Sequence, residues 1–206
     1  MNILAQNKAA WDSIGCDAAS PYMEQEMYAD LFKQFCQSLP TKARVLDVGC
    51  GPGIPVTKAL VKAGFNVIGL DLSPKMIALA KHNVPDAQYT CKSITDIDYV
   101  EEFHGVMASY SLLCLDHDMF VLACGKIFLA LKPMGYCFIA LNEGVCRHSD
   151  ALTRISGQLV YSRVYSEAEI KGAFSQMRII RLGRAIVESS MYGREQSIVL
   201  LLQKPA

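Results

Sequence analysis

Val45-Leu46-Asp47-Val48-Gly49-Cys50-Gly51-Pro52-Gly53, followed by a second apolar run from Phe65 to Leu70 that ends in the acid Asp71, is the stretch on which the reading of this chain turns. Arg44 to Val48 is short, β-branched and apolar, the pattern of a strand buried on both faces. Gly49, Gly51 and Gly53 then recur at every second position, where a side chain would keep the backbone from turning tightly and from lying against a ligand. A helix follows: Pro55 stands where a first-turn proline is tolerated, Val56, Ala59, Leu60 and Ala63 form an apolar stripe, and Gly64 supplies a left-handed stop. This places amide hydrogens at a helix N-terminus, a setting that favours a phosphate or a carboxylate. The second strand, Phe65 to Leu70, brings Asp71 back beside the loop about 20 residues after Gly51, a spacing that suits a ribose diol, because one carboxylate accepts from both hydroxyls.

Two ligand classes use such a loop. Dinucleotide sites follow G-x-G-x-x-G, with a third glycine that lets the helix approach the pyrophosphate. Here Ile54 holds that third position, and the spacing is G-x-G-x-G. Asp47, two residues before the first glycine, repels a pyrophosphate and attracts an ammonium. A ligand with an α-amino acid end meets both demands, its carboxylate on the loop amides and its ammonium near Asp47. With these features the segment resembles the first motif of the class I S-adenosylmethionine-dependent methyltransferases, which reads like VLDVGCGPG. Lys132-Pro133-Met134-Gly135 before a later strand resembles that family's LKPGG, with Met134 replacing a glycine. The resemblance covers residues 40 to 142 by specific motifs and the flanks by general layout.

The rest of the chain is compatible with one α/β domain. Strand-like and helix-like segments alternate, which favours a parallel sheet covered by helices. Ser73-Pro74 opens a helix, Gln88 to Cys91 and Phe103 to Ser109 read as strands three and four, Asp118 to Leu131 as a helix and Tyr136 to Leu141 as strand five. Ile179 to Leu182 and Ser197 to Leu202 read as closing strands after a helix from Ser166 to Phe174. The expected fold is a single doubly wound, Rossmann-like domain. Its seven-stranded, mostly parallel sheet has an antiparallel closing strand and helices on both faces. Residues 1–43 form a helical cap, 44–142 the cofactor-binding core, and 143–206 a lid segment and the closing strands.

With 206 residues, 51% of them apolar, the chain is long enough to bury a full core. Its twenty basic and twenty acidic residues cancel, so nothing in the charge balance calls for a nucleic-acid backbone, and a small molecule is the expected partner. No apolar stretch approaches the roughly 18 residues of a membrane span, and the first residues lack the pattern of a signal peptide, so the expectation is a soluble, cytoplasmic protein. The eight cysteines include no C-x-x-C pair and read as free, mostly buried thiols, and none of the four histidines pairs with another at helical spacing, so no metal site is expected. Nothing in the sequence sets an oligomeric state.

The resemblance implies S-adenosyl-L-methionine as cofactor and S-adenosyl-L-homocysteine as product, with site residues as follows. Gly49, Cys50, Gly51 and Gly53 supply the loop, Asp47 supports the ammonium and Asp71 holds the ribose. Leu72 and Met76 flank the adenine or belong to the core. Ser93 and Ile94 occupy the place where relatives tend to have an acid and an apolar residue. The Ser93 hydroxyl is left to accept from the adenine amino group. Ser109 stands near the methyl donor or caps its strand. Trp11 and Tyr22 are candidates to close over the methionine end, or ordinary core aromatics on amphipathic helices. Glu143 to Tyr165 is a lid or a plain surface connection. A sulfonium methyl is already electrophilic, so the protein must mainly orient a nucleophile and exclude water. If a base is used, His117 is the candidate, with Tyr110, Asn142 and Glu143 near the same sheet edge; the other reading leaves His117 exposed at a helix start. No N-P-P-Y-like sequence follows strand four, where Ala108-Ser109-Tyr110-Ser111 stands, and this favours a small-molecule acceptor. Two other readings stay open: a noncatalytic cofactor- or partner-binding protein on the same fold, and a nicotinamide or flavin oxidoreductase, which Ile54 and Asp47 disfavour.

Overall fold

A computed structural model of the chain describes residues 2–15, 23, 25–144, 151–189 and 193–206. The glycine loop follows strand β1 (Arg44–Val48), and helix α3 (Val56–Lys62) carries the chain back to β2 (Asn66–Asp71), which pairs parallel with β1. Helix α4 (Pro74–Asn83) starts from Ser73, whose hydroxyl accepts from the Met76 amide at 3.0 Å, and leads to β3 (Gln88–Cys91). The chain then crosses to the other side of β1 with β4 (Phe103–Ser109), α5 (His117–Ala130) and β5 (Leu131–Asn142). After α6 (Glu167–Ala173), β8 (Arg178–Ser189) forms the edge and β9 (Gly193–Gln203) inserts between β5 and β8, antiparallel to both. The seven strands lie in the order β3-β2-β1-β4-β5-β9-β8. This is the expected doubly wound α/β sheet with an antiparallel closing strand. Its topological switch lies between β1 and β4, where ligands of such sheets bind beyond the carboxyl ends of the strands.

Alternation along the strands divides the core. Leu46, Val48, Val106, Ile139 and Leu200 face α5 and α6, packing with Phe120, Ile127, Ile170 and Phe174. Val45, Met107, Phe138 and Leu201 face α2 (Glu26–Ser38) and α3, packing with Tyr28, Leu31, Phe35 and Leu60. Because the side-chain period of a strand is two, Asp47 falls on the same face as Val45, beneath α3.

Several boundaries differ from those read in the sequence. Strand β5 begins at Leu131, directly after α5, and pairs with Phe103 across a register shift before the regular ladder starts. Within it Met134 takes a left-handed conformation (φ 63°), the one a glycine at this place would adopt freely. Strands β8 and β9 are longer than their apolar centres, because their ladder continues through polar residues. Part of the stretch after strand five is a hairpin, β6 (Ala151–Ile155) and β7 (Gln158–Ser162). Its two-residue turn, Ser156-Gly157, has φ of 46° and 81°, the doubly positive geometry that matches strand twist. Among the described residues no helix is long and apolar enough to cross a membrane.

Candidate active site

A cavity of about 220 Å³ opens beyond the carboxyl ends of β1, β2, β4 and β5. It is roofed by α1 (Ile3–Ile14) and the β6–β7 hairpin. Asn7, 3% exposed on α1, ties the roof together. Its Nδ2 donates to the carbonyls of Cys114 and Tyr161 at 2.9 and 3.1 Å, and its Oδ1 accepts from the Tyr161 amide at 2.7 Å. Asp12, also on α1, accepts from the Ser73 hydroxyl at 2.5 Å and so fixes α1 to the start of α4.

The three glycines of the loop have different tasks. A Cβ on Gly49 (φ 68°) would lie 2.2 Å from Ser111 Cβ, and one on Gly53 (φ 78°) would lie 3.2 Å from Ala80 Cα, so both positions serve packing. Gly51 (φ 53°) has open space where its Cβ would be and lines the cavity. The loop amides do not face outward as expected. Gly49 N and Cys50 N donate to the Leu70 carbonyl at 2.7 and 3.0 Å, Gly53 N donates to Cys50 O at 3.0 Å, and Gly51 N donates to Asp71 Oδ2 at 2.9 Å. The reason is that the loop folds back over the end of β2, which offers acceptors before any ligand does. Helix α3 has only seven residues, too few to add an anion site of its own.

Asp71 lines the cavity, partly exposed, with Oδ1 accepting from Ser73 N and Oδ2 from Gly51 N, both at 2.9 Å. Burial raises its carboxyl above the ordinary range, opposed by these two bonds. Asp47, 2% exposed, accepts from Thr57 Oγ1 at 2.6 Å. Burial pushes its carboxyl up to about 7, the Thr57 bond opposing and nearby Asp71 adding to the shift. Burial also raises the Cys50 thiol, so it is no nucleophile. Leu72 and Met76 line the cavity, Met76 at 1% exposure.

Ser93 and Ile94 also line it, but the Ser93 hydroxyl is already engaged, with Thr95 Oγ1 at 2.7 Å and Thr95 N at 3.2 Å, as the cap of a 3₁₀ turn over Ile94–Asp96. Ser109 Oγ lies 2.7 Å from the Tyr28 hydroxyl. Trp11 lines the cavity with its indole N–H on Cys114 and packs with Ile14, Ile155 and Val160. Tyr22 lies outside the described residues.

His117 does not belong to this group. It is the exposed first residue of α5, after the cap Asp116, and it does not line the cavity, because the turn over Leu112–Cys114 carries the chain from the sheet edge before the helix starts. Glu143 is likewise drawn away, into an ion pair with Arg184 at 2.6 Å. The cavity instead gathers residues that pattern reading passed over, Asn7, Tyr28, Ser111 and Glu195 among them. Short motifs do not reveal them, since each comes from a different element. Among the described residues no group of three or more His, Cys, Asp or Glu is arranged to hold a metal ion.

The family model described as methyltransferase domain matches residues 45–135. The ubiquinone biosynthesis O-methyltransferase of Hydrogenovibrio crunogenus is 36% identical over 137 residues, covering 63% of this chain and 54% of that protein. The N-demethylindolmycin N-methyltransferase of Streptomyces griseus is 34% identical over 103 residues, 48% of this chain and 43% of that one. The chain thus spans about half the length of these curated relatives. Among solved structures, the 1,6-didemethyltoxoflavin-N1-methyltransferase of Burkholderia thailandensis, with bound 1,6-didemethyltoxoflavin and S-adenosylhomocysteine, superposes with a TM-score of 0.74 at 19% identity, over 98% of this chain and 88% of that one. At that identity the likeness speaks for the fold. In its motifs from Val45 to Gly135 and in its strand order the chain is similar to the class I S-adenosylmethionine-dependent methyltransferases, and the methyltransferase-domain match and these relatives agree with that likeness.

Proposed function

We propose that the protein transfers a methyl group from S-adenosyl-L-methionine to a small-molecule acceptor, releasing S-adenosyl-L-homocysteine. The observation that carries this reading is Gly51, held in a left-handed conformation with free space over its α-carbon, next to the Asp71 carboxylate at the switch point of the sheet. A cradle without a side chain beside a preset carboxylate fits a nucleoside. Gly51 leaves room for it, Asp71 keeps oxygen lone pairs for the ribose hydroxyls, and Leu72 and Met76 offer apolar surface to the adenine. Asp47 supports the ammonium end. The bound sulfonium supplies an activated methyl group, so what remains for the protein is orientation and exclusion of water.

The roof serves the second of these tasks. Helix α1 and the β6–β7 hairpin cover the cavity with Trp11 and Ile155, so the lid combines the N-terminal helix with the hairpin after strand five. Ser109 and Tyr28, already hydrogen-bonded to each other, line the wall at the end of β4 and orient whatever enters there. The size of the cavity supports a small acceptor, and so do relatives named as a ubiquinone biosynthesis O-methyltransferase and an N-demethylindolmycin N-methyltransferase.

The test is calorimetric titration with S-adenosylhomocysteine, with NAD in parallel. Micromolar binding of the first and none of the second is expected. Asp71→Ala is expected to weaken that binding by about 1–3 kcal/mol, the cost of leaving buried polar groups without partners. Binding of NAD, or unchanged affinity in the variant, would overturn the assignment.

A further inference from the structure

At the end of the cavity away from the glycine loop, two oxygen atoms are buried without a hydrogen-bond partner: Glu195 Oε2 and Asn142 Oδ1. Their residues come from β9 and the end of β5, which run side by side, Asn142 opposite Ser197. Asn142 is 6% exposed, and its side-chain amide hydrogen-bonds the Glu195 carboxyl, which fixes both cavity-lining groups and leaves one oxygen of each without a partner. Tyr28 and Tyr110, stacked with ring centroids 6.4 Å apart, line the same end.

Folding rarely leaves such acceptors unsatisfied, since each costs free energy until a donor arrives. Burial holds the Glu195 carboxyl above its usual range, the mark of a group that lacks a compensating charge. Asp47, Asp71 and Glu195 line the cavity against one basic residue, Lys92, among the described residues. The charge of the wall therefore selects a cation.

Resting on the methyltransferase reading above, we propose that Glu195 and Asn142 form a recognition site for an amino group of the acceptor. Two acceptor oxygens side by side fit a nitrogen carrying at least two N–H donors, and the carboxylate favours its protonated form. The tyrosines and the leucines of the 112–115 turn give the body of the acceptor an apolar or aromatic setting. An acceptor bearing a carboxylate or phosphate here would meet the unpaired oxygens of Glu195 and is excluded.

Three fragments with the same body separate the outcomes: phenethylamine, phenethyl alcohol and hydrocinnamate, each titrated into the S-adenosylhomocysteine-loaded protein and followed by saturation-transfer NMR. The amine is expected to bind at least about tenfold more tightly than the alcohol, with no signal from the carboxylate. Glu195→Gln is expected to abolish that preference while leaving the affinity for S-adenosylhomocysteine within about twofold and the thermal transition cooperative. Equal binding of amine and alcohol, preference for the carboxylate, or no binding of the amine would overturn the proposal, and these readings need only the unaltered protein. A tenfold loss of S-adenosylhomocysteine affinity in Glu195→Gln would overturn it by assigning Glu195 to the cofactor. Failure of S-adenosylhomocysteine to bind the unaltered protein would instead remove the methyltransferase reading on which the proposal stands.

Discussion

At one end of the cavity Gly49, Gly51, Asp71 and Ser73 lie within 25 consecutive residues of chain, the Gly51 and Ser73 amides donating to the Asp71 carboxylate and the Gly49 amide to the Leu70 carbonyl. At the other end Tyr28, Asn142 and Glu195 come from α2, β5 and β9. The first end is local in sequence and works through the main chain, so few residues are tolerated in it. The second is assembled by tertiary packing and works through side chains, which are free to vary with the acceptor. A fold can thus keep one ligand constant and change the other, with function residing in the grafted site rather than in the sheet.

The largest expected effect breaks the first end at two neighbouring glycines in different ways. Gly49→Ala drives a Cβ against Ser111 at a positive φ and is expected to destabilise the protein by about 3 kcal/mol, read as a lowered urea midpoint. Gly51→Val meets open space and bears only the strain of a β-branched residue at φ 53°, so the protein should remain folded by circular dichroism with a smaller loss of stability, whereas S-adenosylhomocysteine affinity should fall about 100-fold. If both variants lost stability equally, the division of labour between the two glycines would be wrong. Next in size is Asn7→Ala in the roof. Loss of its three buried hydrogen bonds should cost about 2 kcal/mol and speed hydrogen exchange at the Tyr161 amide, without altering exchange in β1 and β2.

A smaller effect concerns pH. The Asp47 carboxyl is raised from 3.8 to about 7 by burial, so the folded protein binds more protons than the unfolded chain between those values. Stability therefore falls as pH rises through that window, and the raised Asp71 acts in the same direction. Asp47→Asn should flatten the fall in urea midpoint between pH 5 and pH 8, leaving the part due to Asp71; an unchanged profile would show that Asp47 is ionised throughout. The smallest effect lies far from both ends. Met134→Gly relieves a left-handed conformation at an exposed position and should stabilise by about 0.5–1 kcal/mol, less than the full conformational penalty, because glycine also gains freedom in the unfolded chain.

This contrast also explains what the sequence revealed. The strands from Arg44 to Ser109 and the positions of Asp71, Leu72 and Met76 were legible because each is set by local pattern: an apolar run, a turn, a cap. The direction of the loop amides is not legible there, since periodicity does not say which acceptor reaches them first, and here it is Leu70 O and Asp71. His117 was chosen for its chemistry and its nearness in sequence to strand four, but one turn of 3₁₀ helix moves it out to the surface. Ser156-Gly157 carried a readable hairpin signal that the irregular composition around it obscured. Glu195 had no signal at all: a lone acid near the start of a strand acquires its meaning only from Asn142 and the burial of both.

The insertion of β9 between β5 and β8 has a consequence for how the chain reaches this state. Strand β8 has no neighbour in the sheet other than β9, so during synthesis it emerges before the strand it must pair with. Until β9 arrives, β5 presents an open edge from Tyr136 to Asn142, most of it apolar and fully buried in the finished protein. Such an edge is a template for pairing with another chain. The glycine-loop end of the cavity draws on strands up to β4, while the Glu195 end closes with the sheet itself. The residues of the glycine-loop end are therefore all synthesised well before the strand that covers this edge, so the interval between β5 and β9 is the one in which the chain is open to pairing with another.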